Sequence, residues 1–337
     1  MQNIQSNALM SITKFNYYSV HTLLRMLPNV LHRTYARTLL SQFDKMSYAE
    51  QSELMARVHY YCQLQHPFPL NHDSRVSVRH FRKTGGNTYF FDLRKIIKGF
   101  CPDLQFCFIN GDVTHVPATP CFVKSRPIEG ERANSVLLKL NAIRHYQFVD
   151  DPLPFEKKKD NLIWRGDGFW SHREAFIEQY YQHPLCDVSR CDHHKAHAAS
   201  NMATFGPFMP IREQLKSKFI VSLEGKDVAT NLKWILASNS VCIMPKPKFE
   251  TWFMEGLLQP GVHYVEIRDD YQDLLEKLHY YLDHPEEAKQ IAANANQWVA
   301  PFRNQQREHL LGLLVAMKYF MLSQQPQAFA IHQFNRA

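Results

Sequence analysis

The regular alternation of apolar and polar positions is clearest within residues 218–267. Short apolar runs at 219–223, 241–244 and 263–267 predict strands, and residues 228–237 have the apolar spacing of a helix. Strands that alternate with helices at this spacing predict parallel pairing through right-handed crossovers. Ligands of such sheets bind at the carboxyl ends of the strands, so we expect the chemistry of this segment to lie there.

The N-terminal part of the chain has a mainly helical pattern, at residues 16–65, and Ser47 and Glu50 have the spacing of a capping box. The first predicted helix carries a group of basic residues: His21, Arg25, His32, Arg33 and Arg37. A basic helix face would suit an anionic lipid surface. It is also typical of an ordinary solvated face, so both interpretations stay open.

An apolar run at residues 104–109 predicts a buried strand, and a further strand is predicted at 88–93. Asp112 follows the first of these runs directly. A carboxylate just past the end of a strand lies where α/β enzymes place their chemistry, and it can act as a general base toward a hydroxyl group. The competing interpretation is that Asp112 only caps a turn.

Residues 150–160 combine two prolines with a dense run of charges and predict a linker. We therefore predict two domains. Residues 1–155 would hold N-terminal helices and an acceptor-side domain, and residues 156–325 would hold a donor domain followed by C-terminal helices. A length of 337 residues also favours two domains over one.

The composition is that of an ordinary soluble globular protein, with 45% hydrophobic and 21% charged residues. Seven cysteines, an odd number, are read as reduced thiols of a cytosolic protein. No apolar run reaches 18 residues, and polar residues interrupt the N-terminal apolar positions, so neither a transmembrane helix nor a signal peptide is predicted. We expect a cytoplasmic protein, with peripheral membrane attachment left open.

The formal net charge is +7, and 18 histidines add to the basic character. This excess suits an anionic substrate, an anionic membrane surface or nucleic acid about equally well. No pattern typical of an RRM, a KH domain or a helix-turn-helix is present, so no nucleic-acid partner is predicted. A non-catalytic basic binding module remains the alternative to an enzyme.

Arg165 and Gly166 follow the short apolar strand predicted at residues 162–164. Glycine-bearing turns between a strand and a helix expose backbone N–H groups, and an arginine beside them can bind a phosphate through two hydrogen bonds. Neither a GxGxxG nor a P-loop pattern occurs, so this is not a predicted dinucleotide or P-loop site. A surface ion pair explains Arg165 equally well.

Gly225, Asn231 and Lys233 belong to a similar turn and to the helix predicted after it, where an anion could bind. Glu250 begins a short helix predicted at 249–256. Its carboxylate could accept hydrogen bonds from ribose hydroxyl groups, or it could simply favour the helix N-terminus.

Residues 186–197 mix cysteines, histidines and aspartates in a pattern that suggests zinc. Two of the histidines are adjacent, and no second ligand pair follows at a finger-like distance. A polar loop is therefore the favoured interpretation, and no metal is predicted.

Taken together, these motifs resemble glycosyltransferase family 90, which includes bacterial lipopolysaccharide-modifying enzymes, fungal capsule-associated enzymes and animal protein O-glucosyltransferases. The motifs that carry the resemblance are Phe108-Ile109-Asn110-Gly111-Asp112, Lys124-Ser125-Arg126-Pro127, Trp164-Arg165-Gly166, the stretch from Glu224-Gly225 to Lys233, Phe249-Glu250 and His263-Tyr264-Val265. Their order and spacing are specific, although each is short, and the bacterial branch is the most similar.

The resemblance implies an α/β protein with a GT-B-like fold, two Rossmann-like domains facing each other across a cleft, with extra N-terminal helices and a C-terminal helix. It implies a UDP-sugar donor, an inverting reaction and no bound metal or other cofactor. Asp112 matches the family's general base, and Arg165 matches the arginine that meets the diphosphate. A retaining reaction on the same fold stays open.

One position departs from the family pattern. The animal enzymes have an arginine where this chain has Asn231, so we expect Lys233 or Lys226 to help neutralise the diphosphate. Arg126 and the basic loop with Arg75 and Arg79 are expected on the acceptor side. The expected acceptor is an anionic glycan or glycolipid such as a lipopolysaccharide core. Peripheral contact with the inner face of the plasma membrane is left open.

Overall fold

The computed structural model describes residues 2–70, 74–191 and 201–325, with side chains from residue 14 onward. The chain divides into two compact units. The unit that we call the sheet unit consists mainly of His145–Lys248 and Glu255–Arg303. The other, the helical unit, consists of Leu9–Arg144, Phe249–Met254 and the chain from Asn304 onward.

The α-helices are α1 (Gln2–Met26), α2 (Asn29–Phe43), α3 (Tyr48–Tyr61), α4 (Asn87–Ile97), α5 (Ala142–His145), α6 (Ser171–Tyr180), α7 (Ile211–Gln214), α8 (Leu232–Leu236), α9 (Leu274–Asp283), α10 (Pro285–Val299) and α11 (Gln305–Leu322). Short 3-10 helices lie at Phe155–Lys157, Met202–Thr204, Glu255–Leu257 and Ala300–Arg303. The strands are β1 (Val76–Ser77), β2 (Gln105–Phe106), β3 (Cys121–Val123), β4 (Ser125–Pro127), β5 (Ser135–Leu137), β6 (Lys159–Gly166), β7 (Cys186–Arg190), β8 (Ser217–Val221), β9 (Val241–Pro245), β10 (Phe249–Thr251) and β11 (Val265–Ile267).

A five-stranded, fully parallel sheet forms the centre of the sheet unit, in the order β11-β9-β8-β6-β7. The chain starts this sheet at β6, moves outward to β7, and then returns to the other side of β6 to add β8, β9 and β11. The direction of strand addition therefore reverses between β6 and β8. In open parallel sheets this reversal opens a crevice at the carboxyl ends of the two strands, where ligands bind.

The strands predicted at 162–164, 219–223, 241–244 and 263–267 are confirmed as β6, β8, β9 and β11, with shifted ends. Their side chains are buried on both faces of the sheet, as expected for parallel strands covered by helices. The helix predicted at 228–237 is shorter than expected and forms only α8. The predicted mixed α/β character is confirmed for this unit.

The helical unit is built around α11, whose residues from Glu308 to Ala316 are all buried, as are Tyr319 and Phe320. Helices α2, α3 and α4 pack against α11. Three two-stranded pairs complete the unit: β1 with β2 and β4 with β10 are antiparallel, and β3 with β5 is parallel.

Two predicted elements are wrong. The strand predicted at 88–93 is α4, in which Tyr89, Phe90, Leu93 and Ile97 place apolar side chains on one face at helical spacing. The helix predicted at 249–256 is the strand β10 followed by a 3-10 turn. Pairing with β4 determines the extended conformation there, so tertiary contacts override the local preference.

Residues 150–160, predicted to be a linker, lie within the sheet unit. Asp151 accepts a hydrogen bond from Lys158 at 2.6 Å, and β6 begins at Lys159. The change from the helical unit to the sheet unit falls between Arg144 and His145. A functional division after residue 155 stays a prediction.

None of the helices described in residues 2–325 combines the length and the apolar character that a membrane crossing requires.

Candidate functional site

Arg165 lies at the carboxyl end of β6, beside the point where strand addition reverses. Its guanidinium donates to the backbone oxygens of Trp164 (2.9 Å) and Asp187 (2.7 Å) and pairs with the Asp187 carboxylate at 2.5 Å. The Nε–H of Arg165 is buried, and no described group accepts a hydrogen bond from it. The neighbours of Arg165 thus hold its guanidinium in place, and its Nε–H remains available to donate a hydrogen bond.

Arg173, in the first turn of α6, links the loops that follow β6 and β8. It donates to the carbonyl oxygens of Asp167 at 3.1 Å, Leu223 at 2.6 Å and Glu224 at 2.9 Å. The pattern of a helix following a glycine turn was visible in the sequence, but nothing there indicated that this side chain spans both loops. Arg173 therefore adds a second guanidinium to the carboxyl edge of the sheet.

Gly225 lies beside Arg173 in the loop after β8. A Cβ atom at this position would lie 3.3 Å from the Arg173 guanidinium and 3.4 Å from the indole nitrogen of Trp170. These distances are tighter than most Cβ contacts, so glycine lets the backbone approach both side chains. The structure thus brings together Arg165 and Gly225, two of the predicted donor-site residues, at one sheet edge.

Asn231 and Lys233 have structural contacts that the sequence did not indicate. The Asn231 side chain donates to the backbone oxygen of Val221 at 2.9 Å and accepts from the Ser222 hydroxyl at 3.1 Å. Lys233 is fully buried and forms an ion pair with Glu255. The Lys233 ammonium neutralises a carboxylate inside the sheet unit, and a donor-binding role for Lys233 stays a prediction.

Asp112 lies in the helical unit on a sharp turn that Gly111, with a φ of +98°, makes possible. Its carboxylate is bound by the Lys124 ammonium at 2.5 Å and accepts from the Tyr89 hydroxyl at 3.2 Å, while 32% of the side chain remains exposed. Burial acts to raise the pKa of Asp112, but the Lys124 charge and hydrogen bond, helped by Arg144, hold that pKa below its ordinary value. Asp112 is therefore an ionised and accessible carboxylate.

The hydroxyl that orients Asp112 is itself positioned by a hydrogen-bond chain. The Asn141 amide nitrogen lies 3.4 Å from the Tyr89 hydroxyl, and the Asn141 side-chain oxygen accepts from Thr88 at 2.9 Å. Asn141 has a positive φ of 57°, which asparagine tolerates better than most residues. Sequence reasoning missed this chain because it placed residues 88–93 in a strand.

Glu250 and Arg126 form a buried ion pair in the helical unit, at 2.7 Å between Nε and Oε1. Arg132 lies 3.1 Å from the same carboxylate oxygen, and the Tyr60 hydroxyl donates to the other. Burial, and then the Glu250 charge, raises the pKa of Tyr60, so this hydroxyl stays protonated and donates. Both Glu250 and Arg126 are inaccessible in this arrangement, whereas the sequence had suggested contacts with ribose and with acceptor.

The remaining predicted acceptor-side residues lie on the basic loop that contains β1. Arg79 is exposed and donates to Asp103 at 2.8 Å, and Arg75 is half-buried. Neither contacts Arg126 or Asp112 in the described hydrogen bonds and ion pairs. The structure therefore does not gather the predicted acceptor-side residues into one cluster.

Metal ligands were considered at residues 186–197, but residues 192–197 lie outside the described part of the chain. Within the residues that are described, no group of three or more histidine, cysteine, aspartate or glutamate side chains is arranged to hold a metal ion. The expectation that no metal is needed stays a prediction.

Comparison with known proteins agrees with the motifs. The profile of "Glycosyl transferase family 90" matches residues 141–307, which include Arg165, Arg173 and Gly225. "O-glucosyltransferase LpsA" of Dichelobacter nodosus is 43% identical over 309 residues, covering 92% of this chain and 96% of the relative. "Protein O-glucosyltransferase 2" of Danio rerio is 36% identical over 168 residues, covering 47% of this chain and 31% of the relative. With a profile match across the sheet unit and a relative aligned along nearly its whole length, the chain belongs to glycosyl transferase family 90 and is a glycosyltransferase.

Proposed function

We propose that this enzyme transfers a hexose from a UDP-sugar to a hydroxyl group of a lipopolysaccharide or another surface glycan, with inversion at the anomeric carbon. The names of two relatives, both O-glucosyltransferases, support transfer of a hexose to an oxygen atom. The observation that carries the chemistry is Asp112, a carboxylate kept ionised by Lys124 and still partly exposed.

In the proposed reaction, the Asp112 carboxylate accepts the proton of the acceptor hydroxyl. The acceptor oxygen forms a bond to the anomeric carbon while the bond from that carbon to the diphosphate oxygen breaks. UDP leaves with the bonding electron pair. A single displacement of this kind inverts the anomeric configuration, and a general base typically contributes a factor of roughly 10² to 10⁴ to the rate.

For the donor, we assign the diphosphate to the carboxyl edge of the sheet unit. Arg165 has a buried Nε–H without a described partner, and Arg173 lies beside Gly225 at the same edge. Guanidinium groups held in place by neighbouring carbonyl oxygens need no reorganisation to stabilise charge that develops on a leaving group. We include Arg173 in this assignment although the sequence did not suggest it.

Donor-binding roles for Asn231, Lys233 and Glu250, and acceptor-binding roles for Arg126, Arg75 and Arg79, stay predictions. For all but Arg75, the contacts described above provide a structural role that experiments must separate from ligand binding. The GT-B arrangement, independence from metal, a cytoplasmic location and peripheral contact with the inner membrane are further parts of the proposal.

The direct test is a thermal-shift screen of the purified chain against UDP, other nucleotides and a panel of nucleotide sugars, with and without EDTA. We expect UDP and one UDP-sugar to raise the melting temperature and EDTA to leave that increase unchanged. Stabilisation by another nucleotide alone, or by none, would contradict the donor assignment.

The stereochemical part needs a separate measurement, because inverting and retaining reactions use the same donor. Proton NMR of the product formed with the donor that the screen identifies gives the anomeric coupling constant directly. The inverted configuration is expected, and a retained configuration would exclude the single displacement by Asp112.

A further inference from the structure

Helices α1 and α2 carry positive charge without any acidic residue. The chain has no aspartate or glutamate before Asp44, whereas Lys14, Arg25, Arg33 and Arg37 lie within this region. Ordinary solvated helices usually mix both signs of charge, since opposite charges three or four positions apart stabilise each other. The one-sided charge is the first observation that favours an anionic partner for these helices.

The same two helices expose large apolar side chains on either side of Pro28. The set that we call the exposed apolar face comprises Phe15 (70% exposed), Leu23 (64%), Met26 (78%), Val30 (54%), Leu31 (49%) and Tyr35 (51%). Single exposed apolar residues are common, but a concentration on consecutive helices marks an interaction surface.

A small cavity of about 70 Å³ lies among α1, α2, α4 and α11, next to this face. Basic side chains surround it: His21, His32, Arg94, Lys95 and His309. The Arg94 guanidinium donates to the carbonyl oxygens of Leu24 and Arg25, at 3.4 and 3.3 Å. Among the described residues, no group forms a hydrogen bond or an ion pair with the Lys95 ammonium.

The carboxylate that interacts with Lys95 electrostatically does not fill this cavity. Asp92 accepts hydrogen bonds from the Tyr17 hydroxyl at 2.7 Å and from the backbone N–H of Ala142 at 2.8 Å. Burial, and then the charges of Lys95 and Arg94, lower the pKa of His21 to about 4. At neutral pH the positive charge at the cavity is therefore that of Arg94 and Lys95, and an anion bound there would offset it.

Building on the peripheral membrane contact included in the proposed function, we propose that α1 and α2 dock on an anionic phospholipid membrane, with the exposed apolar face entering the lipid interface and a headgroup phosphate binding among Arg94, Lys95 and His21. Apolar and basic groups together distinguish this partner from a free anion, which would use only the cavity, and from an uncharged surface, which would use only the apolar side chains. The proposal assigns neither Asp112 nor the residues at the carboxyl edge of the sheet unit to this surface, so its test requires no activity.

The experiment measures co-sedimentation of the full chain with vesicles of phosphatidylcholine alone or of equal parts phosphatidylcholine and phosphatidylglycerol. We expect binding to the mixed vesicles to be at least about ten-fold tighter. Leu23→Ser combined with Met26→Ser should weaken that binding about ten-fold, because two exposed apolar side chains no longer enter the interface. Lys95→Gln should weaken it about five-fold.

Matched controls use exposed residues of the sheet unit. Met202→Ser combined with Leu257→Ser removes similarly exposed apolar side chains, and Lys157→Gln removes an exposed charge. Both controls should bind the mixed vesicles like the parent chain. Circular dichroism and the melting temperature establish that every variant is folded.

Three outcomes would overturn the proposal. Equal binding to both vesicle types would show that the cavity among α1, α2, α4 and α11 does not contribute to binding an anionic headgroup. Stabilisation of the chain by inorganic phosphate without any vesicle binding would make the cavity a site for free anions. Self-association that depends on Leu23 and Met26, again without vesicle binding, would assign the apolar face to a second copy of the chain.

Discussion

Asp112 and Lys124 form a half-buried pair in which the carboxylate, not the ammonium, remains accessible. The Lys124 side chain is 1% exposed and that of Asp112 is 32% exposed. A buried cation beside a partly exposed carboxylate keeps the carboxylate ionised without blocking its approach to a proton. An ionised and partly exposed carboxylate is the form in which a carboxyl group can accept a proton.

Asp112→Asn should reduce turnover about 100-fold or more while UDP binding changes less than about two-fold, because the amide cannot accept the proton. Turnover is measured as the rate of UDP release, and UDP binding is measured by the thermal shift. Asp103→Asn, an exposed aspartate of the same unit, is the matched control and should keep full activity. Full turnover of Asp112→Asn would exclude Asp112 as the base.

Lys124→Met tests the electrostatic part of this arrangement. Lys124 lowers the pKa of Asp112, so its removal raises that pKa. The base form exists above the pKa and is lost as the pH falls through it, so the acid limb of the kcat/KM profile should move to higher pH. The control Lys157→Gln should leave the pH profile unchanged. An unchanged acid limb in Lys124→Met would show that Lys124 does not set the pKa of the general base.

The Arg126–Glu250 pair has the opposite character, since both side chains are fully buried. Glu250→Gln should lower the free energy of unfolding by about 3 kcal/mol, because Arg126 keeps a buried charge without its counter-ion. Urea denaturation measures this. The exposed pair of Arg79 and Asp103 supplies the control, in which Asp103→Asn should change stability by less than about 1 kcal/mol.

A second variant separates the structural role of Glu250 from ribose binding. Replacing both Arg126 and Glu250 by methionine removes the two charges together and should destabilise the chain less than the sum of the single replacements. If Glu250 binds ribose instead, Glu250→Gln would weaken UDP binding while the free energy of unfolding stays unchanged.

Among the elements, α3 has the N-terminus that its sequence predicted. The Ser47 hydroxyl accepts from the Glu50 backbone N–H at 3.4 Å, and the Glu50 carboxylate accepts from the Ser47 N–H at 2.9 Å. Ser47→Ala should therefore lower the free energy of unfolding of the helical unit by about 1 kcal/mol in a urea titration. Ser41 in α2 supplies the control, because its hydroxyl donates to the backbone oxygen of Thr38. Ser41→Ala should leave the free energy of unfolding nearly unchanged. An equal loss of stability in both variants would contradict the role of Ser47 as a cap.

The elements that could be predicted are those in which local pattern and tertiary pairing agree. The runs 162–164, 219–221 and 241–244 of strands β6, β8 and β9 are apolar and buried, which favours strands of a covered parallel sheet. Residues 88–93 contain aromatic and apolar residues that suit either structure, and burial against α11 selects the helix α4. Element β10 forms because β4 is available as a partner, which periodicity cannot reveal.

The positions of the candidate site residues were predictable to the same extent. Arg165 and Gly225 could be placed at one sheet edge because each follows a predicted apolar strand, and parallel strands bring their ends together. The contacts of Arg173 and the burial of Lys233 with Glu255 depend on side-chain directions that sequence spacing does not determine. Residues at strand ends were therefore easier to assign than residues on short helices.

On the scale of the whole molecule, neither unit is a continuous segment. The helical unit takes β10 from one part of the chain and α11 from another, and α11 fills its centre. A chain that ends at Arg303 lacks α11, so we expect residues 14–144 to become susceptible to protease. Limited proteolysis followed by mass spectrometry would show rapid cleavage there and slower cleavage in 159–245.

The intact chain, digested in parallel, is the control and should resist cleavage in both regions. Protection of residues 14–144 in the shortened chain would show that the helical unit keeps its core without α11. Cleavage at equal rates in both regions would show that the sheet unit does not fold independently.

The late position of β10 and α11 has a consequence for the order in which the protein acquires its structure during synthesis. Arg126 leaves the ribosome 124 residues before its partner Glu250, and the helix that fills the centre of its unit comes later still. The strands of the parallel sheet are complete by Ile267 and the helix α10 by Val299. The unit that contains α2, α3 and α4 is therefore completed last, and until then its apolar surfaces are open to chaperones.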